Sequence, residues 1–107
     1  MGLGVAAFDR QFYVYILTNK TKSVVYTGVT SDLIGRIYTH RNDLVAGFTR
    51  RYRVHSLVWY EHQGSAEGAI TREKQIKNWN RAWKDELVTA MNPEWRDLYP
   101  EISIHWG

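Results

Sequence analysis

The chain contains no cysteine. Disulfides and thiolate metal sites are therefore excluded, and packing alone has to hold the fold. The absence also fits a reducing cytoplasm, the expected location. Residues Met1–Ala7 lack the basic residues and long apolar core of a secretion signal. No apolar run approaches the roughly 18 residues of a membrane span, so no membrane association is expected. A glycine-rich phosphate loop, a histidine pair at zinc spacing and a serine in a nucleophile setting are missing as well. Each of those chemistries loses its sequence signature here.

What is present is a single domain's worth of chain, 107 residues, with five tryptophans and seven tyrosines. A domain this small has a poor surface-to-volume ratio, and large rings are one way to bury enough apolar area. Most of the aromatics are accordingly expected in the core. The net charge is +3 and the isoelectric point about 9.3. This mild excess favours a polyanionic partner, but its distribution matters more than its sum.

Residues 1–11 read as a loose leader. Phe12–Leu17 is β-branched and aromatic throughout, the pattern of a strand covered on both faces. Polar residues 18–22 then make a turn, and Ser23–Thr27 a second hairpin strand ended by Gly28. Thr30 or Ser31 caps a helix running to about Asn42, with Leu33, Ile34, Ile37, Tyr38 and Leu44 on one side. Asp43–Arg53 reads as a loop and Val54–Glu61 as a third strand. Ser65 caps a helix from Ala66 to about Asn80, and another spans Arg81–Met91, ended by Asn92-Pro93. The aromatic tail beyond residue 98 has no clear assignment. The order predicts an α/β (α+β) domain over residues 12–98, a small three-stranded, mostly antiparallel sheet flanked by helices.

Glu73 is the most informative residue. Ala69, Ile70 and Ile76 surround it at helical spacing, so a carboxylate lies inside an apolar stripe. Such a group needs a partner. A Lys77 pair four residues on, or Arg72 folded over the surface, is the bland answer, worth a few tenths of a kcal/mol. The alternative is a hard cation, since Mg²⁺ is often held by one or two carboxylates plus water and phosphate. Arg36 and His40 share a face of the first helix, a fork for phosphate and a group that titrates near neutrality. Two surface residues would look the same. Tyr15 and Tyr26 fall on neighbouring strands and by themselves read as core tyrosines. Phe48-Thr49-Arg50-Arg51-Tyr52-Arg53 interleaves arginines with rings, as a segment that follows phosphates and stacks on bases would. Arg41, Arg50, Arg51, Arg53, Lys74 and Lys77 are the candidates for nucleic-acid contact, against the plainer reading of a solvated charged face.

Together these residues are more specific than any one of them. Val14-Tyr15, then Tyr26-Thr27-Gly28, Arg36 ten residues after the second tyrosine, and a later helix bearing Glu73 resemble the GIY-YIG nuclease domain. That family includes the amino-terminal nuclease module of UvrC-type excision-repair enzymes. Arg72–Lys77 with Trp79, followed by Asn92-Pro93 and Trp95, looks more like its small stand-alone bacterial members. The resemblance spans about residues 12–98. It implies a metal-dependent endonuclease acting on DNA, in a repair or recombination setting. Tyr15 and Tyr26 would be the motif tyrosines, Tyr26 favoured over His40 as general base. Arg36 would hold the scissile phosphate, His40 would assist proton transfer, and Glu73 would carry Mg²⁺ or Mn²⁺. Two positions depart from the pattern: Tyr13 stands where the first motif has glycine, and Thr27 is the middle of the second. Members with known targets generally carry a further domain that chooses the DNA. A chain this short is expected to take target choice from a protein partner. The competing expectations are a nucleic-acid-binding or accessory module that does not cut, and an interaction domain docking through Trp95 and Trp106.

Overall fold

The computed structural model describes residues 11–104. The expected leader falls, except for Gln11, outside them, as does Trp106. A three-stranded antiparallel sheet is formed by β1 (Phe12–Thr18), β2 (Val25–Thr30) and β3 (Ser56–Gln63), in the order β2-β1-β3. Helix α1 (Leu33–Arg41) and the single turn α2 (Phe48–Arg51) separate β2 from β3. Helices α3 (Ala66–Lys77), α4 (Arg81–Met91) and α5 (Tyr99–Ile104) follow. This is the α+β architecture expected. No described helix is long and apolar enough to cross a membrane.

The central strand has no polar face because both faces are covered. Val14 and Ile16 pack with Val58, Ala69, Ile76 and Val88 on one side. Tyr15 and Leu17 pack with Leu33, Ile37, Leu57 and Leu98 on the other. A strand buried on both sides reads as a continuous apolar run rather than an alternation, which is how residues 12–17 read.

Several boundaries differ from the sequence reading, each for a local reason. Gly28 does not end the second strand. It lies inside β2, directly opposite Tyr15 of β1. The α1 cap is Asp32, whose Oδ1 accepts from the Gly35 N–H at 3.1 Å; the Thr30 hydroxyl instead accepts from the Asp32 N–H and ties the turn. Because α1 stops at Arg41, Leu44 falls beyond it and stands exposed, as does Tyr38. The expected loop 43–53 contains α2, which follows Gly47 at φ 123°, a conformation open to glycine. Val54 donates its N–H to the Thr49 carbonyl at 3.1 Å rather than to the sheet, so β3 starts at Ser56. The Ser65 cap stands as expected, accepting from the Gly68 N–H at 3.0 Å.

Residues 97 and 98 tie the following tail to the sheet by long-range bonds. The Asp97 carboxylate accepts from the Leu57 N–H at 3.1 Å, and the Leu98 N–H donates to the Leu57 carbonyl at 2.7 Å. Tyr99 and Ile102 of α5 then pack against the Tyr15 side of the core. Buried Asn92 secures the preceding turn, its Nδ2 donating to the Val58 and Arg96 carbonyls.

Among the described residues, one buried side-chain polar group has no partner. The Thr27 hydroxyl is enclosed in the sheet without a hydrogen bond. An enclosed hydroxyl lacking a partner is destabilising by about 1–3 kcal/mol. Thr27→Val keeps the branched shape and removes the orphan, so we expect the variant to unfold at higher denaturant, by about 1 kcal/mol. A variant less stable than the parent would mean that the hydroxyl has a partner in solution.

Candidate active site

The sheet pairing brings the two expected tyrosines together. Tyr15 is fully buried, while Tyr26 on the edge strand is half-buried. Their ring centroids are 6.4 Å apart. His40 of α1 lies against both, 6.0 Å from the Tyr15 ring and 5.9 Å from the Tyr26 ring. It is buried rather than on the surface. Tyr15 Oη is 3.2 Å from His40 Nε2, and His40 Nδ1 is 3.0 Å from Thr49 Oγ1. The Arg36 guanidinium, on the exposed side of α1, lies near the same phenol and favours its ionised form.

The close approach rests on Gly28. A Cβ there would lie 2.4 Å from both Cζ and Oη of Tyr15. The phenol occupies the space that a side chain on Gly28 would take, so this glycine is required for room and not for an unusual φ.

Burial pushes the Tyr15 phenol up to about 12, helped by neighbouring Tyr26 and Glu73 and opposed by Arg36. Tyr15 therefore keeps its proton at neutral pH. Burial also lowers His40 below its ordinary 6.5, and the Arg36 charge adds to this. The folded protein holds His40 neutral while the unfolded chain protonates it below about 6.5. Its contribution to stability is thus whole above that pH and lost as the pH falls through the lowered folded value. We expect the wild type to lose more stability than His40→Gln between pH 7.5 and pH 5. Equal slopes in chemical denaturation would contradict this.

Glu73 projects from α3 toward the same group. Its side chain is 14% exposed and pairs with Lys77 at 2.8 Å, so the bland partner is present. The Lys77 ammonium lies 5.9 Å from the Tyr26 ring centroid, which places the pair at the edge of the tyrosine cluster. Ala69 and Ile76 beside Glu73 are buried, but Ile70 is exposed and the apolar stripe is narrower than expected. Arg72 is engaged elsewhere, with Glu61 at 2.9 Å. Among the described residues no three His, Cys, Asp or Glu side chains converge. A metal here would have one protein carboxylate, Glu73. That donor fits a hard divalent ion whose other ligands are water and phosphate oxygens, and the ammonium beside it shows that the carboxylate accommodates a cation.

The expected nucleic-acid contacts divide. Arg50, Arg51 and Arg53 are exposed around α2, and Lys74 is exposed on α3. Lys77 is shared with Glu73. Arg41 is committed inward: it pairs with Asp97, donates to the His55 carbonyl and covers the Tyr99 ring at 4.6 Å. Sequence reasoning missed Thr49, whose role depends on α2 folding back onto α1, and no local pattern marks it. It also missed that Phe48 stacks on Tyr26, with centroids 5.8 Å apart at 28°. The expected docking residue Trp95 is half-buried, its indole donating to Thr89 at 3.0 Å. Among the described residues, Trp83 is the exposed indole instead.

A sequence model of the GIY-YIG catalytic domain matches residues 11–86. The chain belongs to the GIY-YIG family. Its motif positions are those that meet at the sheet, Tyr15 and Tyr26-Thr27-Gly28. Small relatives share most of the chain. A UPF0213 protein of Clostridium perfringens is 35% identical over 86% of this chain and 98% of its own length. A UPF0213 protein of Syntrophus aciditrophicus is 39% identical over 77% and 93%. The solution structure of a UPF0213 protein from Bacillus halodurans, 33% identical, superposes with a TM-score of 0.53, covering 81% of this chain and 92% of that one. The GIY-YIG domain is a nuclease domain acting on nucleic acid, generally with a divalent metal ion. That places the chain in a nuclease family.

Proposed function

We propose that this GIY-YIG protein is an endonuclease hydrolysing phosphodiester bonds in DNA, in repair or recombination, with Mg²⁺ or Mn²⁺ on Glu73. The observation that carries the reading is a mostly covered carboxylate, Glu73, beside a tyrosine–histidine–arginine cluster. Arg36 is exposed and permanently charged, so it takes the scissile phosphate and stabilises charge as it builds on the oxygens. Tyr26, the motif phenol on the edge strand, orients the attacking water and takes its proton while passing its own to bulk water. Tyr15 is wholly covered and protonated, and acts through its neighbours. It fixes His40, which Thr49 holds from the other side, and this string keeps the Tyr26 ring in place. Glu73 would hold a divalent ion, which would supply positive charge at the phosphate and the departing oxygen. Lys77, which pairs with Glu73, is a second cation at the site for the DNA backbone.

Cleavage of labelled linear duplex, flap, junction and single-stranded DNA, with Mg²⁺, with Mn²⁺ and with chelator, tests the reading. Cutting that stops with chelator is expected. A second reading, a binding module that does not cut, draws on the Glu73–Lys77 pair, which satisfies the carboxylate without a metal. It predicts salt-sensitive binding across the panel with no metal requirement.

A further inference from the structure

We propose that α2 and its flanks form a binding platform for unpaired nucleotides, so that the strand delivered to Arg36 and Glu73 is single-stranded DNA. The proposal deepens the nuclease reading and rests on it for the position of the cut. Phe48 and Tyr52 lie four residues apart on the α2 turn, with ring centroids 4.7 Å apart. They are 46% and 42% exposed. Phe48 in turn stacks on Tyr26. A row of rings therefore leads from buried Tyr15 through Tyr26 and Phe48 out to Tyr52.

The platform is rigid where it meets the site. Thr49, on α2 between the two rings, is buried and bonded to His40 at 3.0 Å, and its carbonyl accepts from Val54. A displaced α2 would break the string behind Tyr26. Two adjoining hollows open along the rings. One, about 600 Å³, is lined by Phe48, Arg50, Arg51 and Tyr52. The other, about 470 Å³, is lined by Lys20, Tyr52, Arg53 and His55. Tyr52 is common to both, and each volume lies in the range of about 300–1,000 Å³ that holds a small organic ligand. Among the described residues, Lys20, Arg50, Arg51 and Arg53 have no carboxylate within ion-pair distance. These hollows are thus cationic and ring-walled.

Rings of this kind have no use for a paired duplex. Its base faces are already stacked, and extruding one base opposes binding by a few kcal/mol. An unpaired strand presents free base faces to the rings and phosphates to the arginines, the combination that binds single strands with little regard to sequence. The spacing also explains why the rings are exposed: a stacking platform has to be open on one side.

The test uses Glu73→Gln, with wild type in chelator as a second protein. Anisotropy of a labelled thymidine oligomer is compared with that of a blunt duplex of equal length at equal salt. The single strand is expected to bind at least tenfold more tightly, on the order of one stacked base. Phe48→Leu and Tyr52→Leu, which keep apolar bulk, should each weaken single-strand binding about tenfold and leave duplex binding unchanged. Equal affinity for both DNAs, or indifference of the single strand to both leucines, overturns the proposal. The two readings fail separately. Ring-dependent binding without any cutting removes only the nuclease, while duplex cutting with indifferent rings removes only the platform.

Discussion

Gly28→Ala is expected to lose cleavage and to unfold earlier than the wild type, although alanine ordinarily suits a strand better than glycine. The added Cβ would stand 2.4 Å from two atoms of the Tyr15 ring. Contacts that short do not exist between such atoms, so one group has to move. The phenol is wholly covered and hydrogen-bonded to His40, and the backbone at Gly28 is held in the β1–β2 ladder directly opposite. Neither has free space to enter. Overpacking of this kind is destabilising by about 1–3 kcal/mol, beyond the roughly 0.5–1 kcal/mol that alanine would add in an open strand. The functional loss should exceed the structural one, because the displaced phenol breaks the string from Tyr15 through His40 to Thr49. Thermal unfolding and cleavage measured together check this. Unchanged midpoint and rate would mean that Tyr15 does not lie over Gly28.

Arg36→Ala should lose rate heavily with little loss of stability. Arg36 is exposed on α1, and substitutions at such positions usually stay within about 0.5 kcal/mol. Removing a donor that stabilises developing charge commonly lowers kcat by about 10²–10³. Arg36→Lys should recover part of this at most, since an ammonium does not reproduce the planar fork. A second readout is independent of cutting. Arg36 helps to hold His40 below its ordinary value, so in Arg36→Ala the histidine should titrate at higher pH than in the wild type. Imidazole proton shifts followed by NMR measure that directly. An unmoved His40 titration would separate Arg36 from the cluster.

Local patterns in the sequence predict much of this molecule. The central strand announces itself because covering on both faces needs an unbroken apolar run, and Ser65 marks the start of α3 because a cap is a matter of a few adjacent residues. Glu73 stands out for the same reason, a carboxylate flanked by Ala69 and Ile76. The features that were not legible depend on contacts between distant segments. Gly28 looks like a strand terminator until Tyr15 is seen lying across it. Thr49 acquires meaning only when α2 folds onto His40. Arg41 reads as a surface cation, yet Asp97 and Tyr99, more than fifty residues later in the sequence, take up its charge. Helix α5 has no sequence signature of its own because its place is set by the Asp97 and Leu98 bonds to β3.

The central claim is that Glu73 serves a catalytic divalent ion and not merely Lys77. The most direct measurement is single-turnover DNA cleavage in Mg²⁺ by wild type and by Glu73→Gln, with thermal unfolding and DNA binding recorded on both proteins. Glutamine preserves size and loses only the Lys77 pair, worth a few tenths of a kcal/mol. The account predicts that the variant stays folded, still binds DNA, and cuts at least about 10²-fold more slowly. A folded Glu73→Gln that cuts at the wild-type rate would contradict it.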